Sequence, residues 1–226
     1  MDIQEIIKNE LTEEQQRSAV DSSQEVLTIA CAGSGKSRTL AYRIARLLAD
    51  GETPESIVAF TFTEKAAESI KRRVSQALQK VGLDSALIGA MYIGTIHSFC
   101  QHILGESDAI YRQYDVLDKN RLIIFLIANY HQLKLHLLRN QWGTKYFETI
   151  EQLADAWTTA HDERLSIADI KSSDSLLGQT LENLNDMLKS KQFIDFSLMI
   201  RLVVDALYNN DKEYGLIARL PRNNPS

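Results

Sequence analysis

The stretch that most constrains this chain is Ala30–Ser37, which reads Ala-Cys-Ala-Gly-Ser-Gly-Lys-Ser. It follows the β-branched run Val26–Ile29 and leads into a helical pattern that starts at Lys36. A strand that runs through a glycine-containing loop into a helix directs several backbone N–H groups at one point, and the positive end of the helix dipole adds to them. We therefore predict that Val26–Ile29 is a strand and that the loop binds a nucleotide phosphate.

The loop matches the phosphate-binding pattern G-x-x-x-x-G-K-[ST], except that Ala30 stands at the first glycine. In this pattern the lysine reaches the β- and γ-phosphates and the following hydroxyl binds Mg²⁺, so catalytic roles are predicted for Lys36 and Ser37. The predicted contacts to the nucleotide are Ala30, Cys31, Ala32, Gly33, Ser34, Gly35, Lys36, Ser37 and Arg38. The alternative is a surface turn rich in small residues.

Three other segments accompany Ala30–Ser37. Ser56–Phe62 is a second apolar, β-branched run, and it continues into Thr61–Ala67; Gly94–Phe99 follows further on, and Leu11–Gln16 lies upstream. Taken in chain order, these segments resemble motifs Q, I, Ia and Ib of the UvrD/Rep-like superfamily 1 DNA helicases. The close resemblance covers about the first half of the chain, and four motifs in order are more specific than any one of them.

The resemblance implies an ATP-dependent DNA helicase. Such an enzyme uses ATP and Mg²⁺, moves along single-stranded DNA, unwinds duplex at single-strand/double-strand junctions, and works with repair or replication proteins in repair, recombination or replication. In the family a glutamine reads the adenine edge, because an amide offers a donor and an acceptor together. Gln15 and Gln16 both fit that role, and the sequence leaves the choice open.

The resemblance also implies that motifs Ia and Ib hold single-stranded DNA. In open α/β sheets ligands bind at the carboxyl ends of the strands, where an aromatic ring stacks on a base and hydroxyls and a lysine hold the backbone. The DNA contacts predicted in this way are Thr61, Phe62, Thr63, Lys65, Thr95 and His97. The alternative for Phe62 is that it is the last core residue of its strand.

Composition limits the classes of function. The net charge is −5 and the pI is about 5.6, which is unlike a purely electrostatic nucleic-acid binder, so DNA contacts must come from a local patch. Cys31 and Cys100 are the two cysteines of the chain; two cannot hold a four-cysteine iron–sulfur cluster, and they fit a reducing cytoplasm. His97, Cys100 and His102 lack the fourth ligand of a structural zinc site. We expect a cytoplasmic protein with no membrane partner.

The fold class that the resemblance implies is α/β. It is a P-loop NTPase with a RecA-like parallel sheet, helices on both faces and a helical insertion called 1B. We assign residues 1–105 to the first part of domain 1A, 106–189 to the insertion and 190–226 to the return into domain 1A. The periodicity predicts helices over Asp118–Leu138, Thr149–Asp162 and Ser175–Lys189, and on the helix after motif Ia an apolar stripe at Ala67, Ile70, Val74, Leu78 and Val81.

The carboxyl-terminal part departs from the family. Phe193–Ile200 resembles the segment that re-enters domain 1A, and Asp195 within it is interpreted as a helix N-cap or structural polar residue. The family then carries motif II, an Asp-Glu pair at a strand end, whereas this chain reads Leu216–Ser226. We expect the front part of a helicase that binds nucleotide and hydrolyses little by itself. Two alternatives are kept, a non-catalytic nucleotide-binding, single-strand-binding or adaptor module and a small-molecule P-loop kinase.

Overall fold

The computed structural model describes residues 2–208, and the stretch Leu216–Ser226 lies outside them. The described residues form two compact units, 2–99 and 100–208. The chain is mixed α/β, is mostly helical, and contains two small parallel sheets. None of the helices in the described part combines the length and apolar character needed to cross a bilayer.

The first unit alternates helices and strands. Its elements are α1 (Ile3–Glu10), α2 (Glu13–Val20), α3 (Lys36–Ala49), β1 (Val58–Thr61), α4 (Glu64–Val81), β2 (Tyr92–Thr95) and the start of α5 (Ile96–Ser107), with short 3-10 turns at Pro54–Ser56 and Ser85–Ala90. Strands β1 and β2 pair in parallel, and Thr61 lies opposite Thr95 in the register. The carboxyl ends of the two strands are therefore level, and the segments that follow them start side by side.

Helix α4 is defined by a capping residue at each end and by an apolar stripe along its length. The Thr63 side chain caps it by accepting a hydrogen bond from the backbone N–H of Ala66 at 3.1 Å, and the helix ends at Gly82 in the left-handed region with φ 76°. The predicted apolar stripe is confirmed and also contains Ala77. This stripe packs on α3, β1 and β2, which positions the start of α4 beside the end of β1.

The predicted strand at Val26–Ile29 is wrong. This run has no strand assignment, and the side chains of Leu27 and Ile29 are 87% and 90% exposed. A strand needs a neighbour that completes its backbone hydrogen bonds and covers its apolar side chains. Within residues 2–208 both sheets are two-stranded, and neither includes this run. The larger parallel sheet that the sequence predicts is present there only as two strand pairs.

The second unit is a helical layer around one parallel strand pair. Its elements are the rest of α5, β3 (Asp115–Leu117), α6 (Lys119–Ala128), α7 (Leu135–Trp142), α8 (Tyr146–Asp162), α9 (Ile167–Ser173), α10 (Ser175–Ser190), β4 (Phe193–Asp195) and α11 (Phe196–Tyr208), with a 3-10 turn at Ala109–Gln113. The helices predicted near α8 and α10 are confirmed. Trp157 is fully buried in their core, and the partly buried Trp142 packs against the same core.

The single helix predicted over Asp118–Leu138 is wrong, because it is divided into α6 and α7. The buried Asn129 side chain donates to the Phe125 carbonyl at 2.7 Å, and Lys134 has a φ of 53° in the left-handed region. Asn129 is the C-cap residue of α6, and the left-handed conformation of Lys134 at the N-cap of α7 is incompatible with one continuous helix. Periodicity alone does not detect this interruption, since both halves carry the same helical stripe.

Strand β4 pairs in parallel with β3, so that Leu117 lies opposite Asp195. Asp195 is buried, and its carboxylate accepts a hydrogen bond from the backbone N–H of Leu198 in the first turn of α11 at 3.3 Å. Burial raises the pKa of this carboxyl. The interpretation of Asp195 as a structural residue at a helix start agrees with this geometry. The boundaries assigned to domain 1A and the insertion stay predictions.

Candidate functional site

The loop between Ala30 and Lys36 is a tight turn that opens onto the start of α3. The Ser34 hydroxyl donates to the Cys31 carbonyl at 2.7 Å, and the Ser34 N–H donates to the same oxygen at 3.3 Å. Gly33 and Gly35 have φ values of 80° and 84°, which favour glycine. Gly35 occupies the N-cap position of α3 and provides no side-chain cap. The first-turn amides of α3 therefore have no capping side chain, which suits them to an anionic group.

Lys36 lies over this loop. Its Nζ donates to the carbonyl oxygens of Ala30 and Cys31 at 3.0 and 2.6 Å, while the side chain as a whole stays exposed. Ser37 is half-buried in the first turn of α3, and Ala32 is exposed at the turn itself. The loop thus brings the predicted phosphate-binding ammonium, hydroxyl and amides together in one short segment.

Gln15 abuts the loop from α2. Its Oε1 accepts from the Thr12 N–H at 3.2 Å and closes the cap of α2, and its Nε2 donates to the Ser34 carbonyl at 2.9 Å. A Cβ atom added at Gly35 would lie 2.7 Å from that Nε2, so a side chain there would displace the Gln15 amide from the loop. Gln16 instead donates to the carbonyls of Leu11 and Lys8 at the end of α1. Of the two glutamines, Gln15 is the one beside the loop.

A cavity of about 610 Å³ opens beside the loop, within the size range of small-molecule sites. Residues from α2, the exposed run, the loop and α3 surround it: Thr12, Glu14, Gln15, Ser18, Val26, Thr28, Ile29, Ala30, Cys31, Ser34, Lys36, Thr39, Leu40 and Arg43. Arg43 is fixed at its edge, because the guanidinium donates to the Ser18 carbonyl at 2.8 Å. The cavity combines apolar walls with two cations, a composition that fits a base and its phosphates.

Arg38, predicted as a nucleotide contact, is held in a different direction. Its guanidinium forms an ion pair with Glu10 of α1, and the same carboxylate pairs with Lys80 of α4. The hydrogen bond from Lys80 lowers the pKa of Glu10; burial opposes this effect, and the hydrogen bond from Arg38 lowers the pKa further. Arg38 does not line the cavity described above. The Glu10 carboxylate ties the first turn of α3 to α1 and α4.

The predicted DNA contacts follow the level ends of β1 and β2. Thr61 ends β1, and Phe62 after it is fully exposed, with a relative exposure of 101%. The alternative that Phe62 is a core residue is therefore excluded. Thr63 caps α4, and Lys65 and His97 are exposed. An exposed ring with a cation beside it is the arrangement on which a base can stack.

Thr95 differs from the other predicted DNA contacts because it is only 8% exposed. Its hydroxyl lies 3.0 Å from Oε1 of Glu64, and the Ser98 hydroxyl lies 2.7 Å from the same oxygen. These two hydrogen bonds, from Ser98 and then Thr95, lower the pKa of Glu64. Sequence analysis assigned Glu64 no role, since an acidic residue in the first turn of a helix is common on its own account.

Sequence analysis also missed an aromatic cluster behind these loops. The rings of Phe60, Tyr92 and Phe99 lie 4.8 to 6.2 Å apart between centroids, in tilted and edge-on arrangements. The Tyr92 hydroxyl donates to the Thr95 carbonyl at 3.0 Å. The cluster packs Phe99 of α5 against Phe60 of β1 and Tyr92 of β2, which supports the segment that carries His97. The sequence signals this cluster only by the presence of aromatic residues in or just after the two strands β1 and β2.

A glycine-containing loop that leads into an uncapped helix start, with a lysine over it, is typical of the class of proteins that bind nucleotide phosphates. The comparison with known families defines the chain more closely. It belongs to the family of the UvrD/REP helicase N-terminal domain, whose profile matches residues 11–218. The resemblance drawn from the motifs is thereby confirmed, and the chain is a member of an ATP-binding, DNA-binding helicase family.

The relatives found among curated proteins agree with this family. The chain is 29% identical over 168 residues to one subunit of the ATP-dependent helicase/nuclease of Bacillus cereus (strain AH820), and equally to its counterparts in Bacillus thuringiensis (strain Al Hakam) and Bacillus cereus (strain B4264). Each match covers 66% of this chain and 13% of the relative. The chain therefore corresponds to a small part of these relatives.

Proposed function

We propose that this chain is the nucleotide-binding front part of an ATP-dependent DNA helicase that translocates on single-stranded DNA and unwinds duplex at junctions. The observation that supports it best is the arrangement of the first unit. It carries a phosphate-type loop with Lys36, and it also presents Phe62, Lys65 and His97 after two adjacent parallel strand ends. Parallel strand ends are where ligands of open α/β sheets bind.

At the nucleotide, the donor set of the loop fits ATP with Mg²⁺. Lys36 binds the β- and γ-phosphates in exchange for the two loop carbonyls it now contacts, and the Ser37 hydroxyl is a ligand for the magnesium ion. Gln15 lies beside the loop and serves as the adenine-reading amide of motif Q once its bond to Ser34 is released. Bound ATP·Mg²⁺ supplies the phosphoryl group whose transfer drives movement in this class of enzyme.

At the DNA, Phe62 stacks on a base while Thr61, Thr63, Lys65 and His97 hold the sugar-phosphate backbone. Stacking on an aromatic ring tolerates every base, which suits an enzyme that moves along any sequence. The net charge of −5 limits the electrostatic contribution to DNA affinity. The DNA strand is therefore released between steps more readily than from a strongly basic protein.

The domain assignment belongs to the same proposal. Residues 1–105 and 190–226 are parts of a RecA-like domain 1A in superfamily 1, and residues 106–189 form a 1B-like helical insertion. Among the described residues that line the cavity, the acidic one is Glu14, on α2 rather than at a strand end. Phosphoryl transfer needs carboxylates that hold the metal and orient water. We therefore propose that this chain alone binds ATP and hydrolyses little of it. We also propose that the protein acts in the cytoplasm, in DNA repair, recombination or replication.

Anisotropy of a labelled oligothymidine tests the DNA part of the proposal. The chain is titrated at low and moderate salt beside the Phe62→Ala/Lys65→Ala double variant, with Phe147→Ala as the control. Phe147 is an exposed ring on α8, so its removal takes away an exposed aromatic side chain far along the sequence from motifs Ia and Ib. Salt-sensitive binding that only the double variant loses is expected. Equal binding by all three proteins contradicts the proposed surface.

A small-molecule kinase and a non-catalytic module remain the competing functions. The kinase uses Lys36 and Ser37 but has no need of the exposed Phe62. Phosphorylation of a metabolite in the presence of ATP, together with no oligothymidine binding, favours that alternative. The front part of a helicase and a non-catalytic module share one expected result. Both bind nucleotide and DNA, and DNA does not stimulate ATP turnover in either.

A further inference from the structure

Glu64 occupies a position that the proposed function does not explain. It is the first residue of α4, and its Oε1 is the common acceptor for the hydroxyls of Thr95 and Ser98 at 3.0 and 2.7 Å. Thr95 ends β2 and Ser98 lies in the first turn of α5. One carboxylate oxygen therefore connects the segment after β1 to the segment after β2, across 31 residues of sequence.

The hydroxyl protons of Thr95 and Ser98 are used in hydrogen bonds within this cluster. A hydroxyl has one proton, and the Thr95 hydroxyl has both Glu64 Oε1 and, at 2.9 Å, Ser98 Oγ within hydrogen-bond distance, while the Ser98 hydroxyl donates to Glu64. With either acceptor for Thr95, both protons are used inside the cluster. The Ser98 N–H donates in turn to Thr95 Oγ1 at 3.1 Å. Thr95 is also nearly inaccessible to a ligand, because it is 8% exposed. These residues thus hold one another, and the exposed side chains around them are left to contact DNA.

We infer that Glu64 is a positioning residue that fixes the motif Ib segment, with His97, against the motif Ia segment, with Phe62 and Lys65, so that both contact one DNA strand. The inference rests on the proposed single-strand function. Without the carboxylate the two segments lose a shared anchor, and ordering them on DNA then costs part of the binding free energy. Thr95 acts through this anchor rather than by touching the strand.

The sign of the effect separates this role from an ordinary surface charge. An exposed carboxylate among DNA contacts repels phosphates, so its removal on electrostatic grounds alone strengthens binding. A positioning role predicts the reverse for Glu64→Ala, namely weaker binding despite the lost negative charge. Glu68 provides the matched control, because it is an exposed carboxylate one turn further along the same helix.

The test is an oligothymidine titration of the whole chain and its variants at several salt concentrations. Glu64→Ala is expected to weaken binding about fivefold and to lower the salt slope by about one, since one phosphate contact is lost. Glu68→Ala is expected to bind as well as the parent or more tightly. Glu64→Gln keeps an acceptor oxygen and is expected to recover most of the affinity. Affinity for ATP is expected to stay the same in all three variants.

A second set of variants keeps the inference testable if Glu64→Ala disturbs folding. Thr95→Val/Ser98→Ala removes both donors, is expected to weaken binding to the same extent, and gives no further loss when combined with Glu64→Ala. Tighter binding by Glu64→Ala, or full additivity of the two sets, overturns the inference alone. A parent chain that binds ATP but no oligothymidine overturns the proposed DNA function, and the inference with it.

Discussion

The two units of the molecule differ in how their apolar residues are used. Of the twelve largest fully buried side chains among residues 2–208, ten lie in the second unit and two, Ile7 and Leu78, in the first. Both units expose some large apolar side chains, but among the described residues the three with 87–101% exposure, Leu27, Ile29 and Phe62, all lie in the first unit. Residues that recognise a ligand must remain accessible and cannot also fill a core. The first unit therefore carries the candidate sites, and the second is built for packing.

The largest effect is expected in the core of the second unit. Trp157 has no exposed surface and lies among the helices of that unit. Truncation of Trp157→Ala is expected to cost about 3–5 kcal/mol of unfolding free energy, because it leaves a cavity that the packed helices cannot fill. Urea unfolding monitored by circular dichroism measures it, with Phe62→Ala as the exposed aromatic control. Equal losses for both variants contradict the contrast between the units.

Acid is expected to destabilise the second unit through His161. Burial, and then the nearby positive charge of Arg201, lower the pKa of His161 to about 4. The unfolded chain binds this proton near pH 6.5, so the stabilisation is complete above that pH and is lost as the pH falls toward 4. The loss from this group is at most about 3 kcal/mol. Unfolding midpoints measured between pH 7 and 4 give the slope.

A variant isolates the histidine from the other groups that titrate nearby. Asp162 and Asp205 also act on His161, and the raised pKa of Asp195 in the same unit acts in the opposite direction, because its protonation favours the folded state as the pH falls. His161→Leu is expected to flatten the slope between pH 6.5 and 4. His131→Gln, at an exposed histidine, is expected to leave it unchanged. An identical slope in His161→Leu and the parent rules out the assignment.

The smallest effect is a difference in thiol reactivity, which requires no change in stability. Cys31 is exposed in the phosphate loop, whereas Cys100 is buried and burial raises the pKa of its thiol to about 11. A maleimide is expected to label Cys31 first, since the thiolate is the reactive form, and ATP is expected to slow that labelling. Mass spectrometry of the labelled peptides measures both rates. Labelling of Cys31 that ATP does not slow would separate the loop from the nucleotide site.

The sequence predicted the elements that local signals specify. The apolar stripe of α4 lies within one segment, so helical periodicity suffices to predict it. The strand at Val26–Ile29 was predicted wrongly because pairing depends on a neighbouring strand that residue preferences do not reveal. The division between α6 and α7 was missed because the chain adopts the left-handed region at Lys134, which helical periodicity does not reveal.

For the candidate sites, too, the sequence revealed only what local segments specify. The motif pattern led to the proposal of the loop residues and Phe62 as site residues, but it left Gln15 and Gln16 equivalent, because only their contacts in the fold distinguish them. It also gave no role to Glu64, since the hydroxyls that this residue binds are 31 and 34 residues away. Contacts between distant segments require the fold, and these contacts decide which polar residues hold the site and which meet the ligand.

The first unit is proposed to bind a nucleotide through the loop that Lys36 covers. Fluorescence titration of the chain with an N-methylanthraniloyl ATP in the presence of Mg²⁺ tests it most directly, beside Lys36→Ala and the exposed-lysine control Lys8→Ala. Lys36→Ala is expected to lose about 10- to 100-fold in affinity, as charge-assisted bonds to phosphate are removed, and Lys8→Ala to match the parent. Equal affinities for all three proteins would contradict the claim.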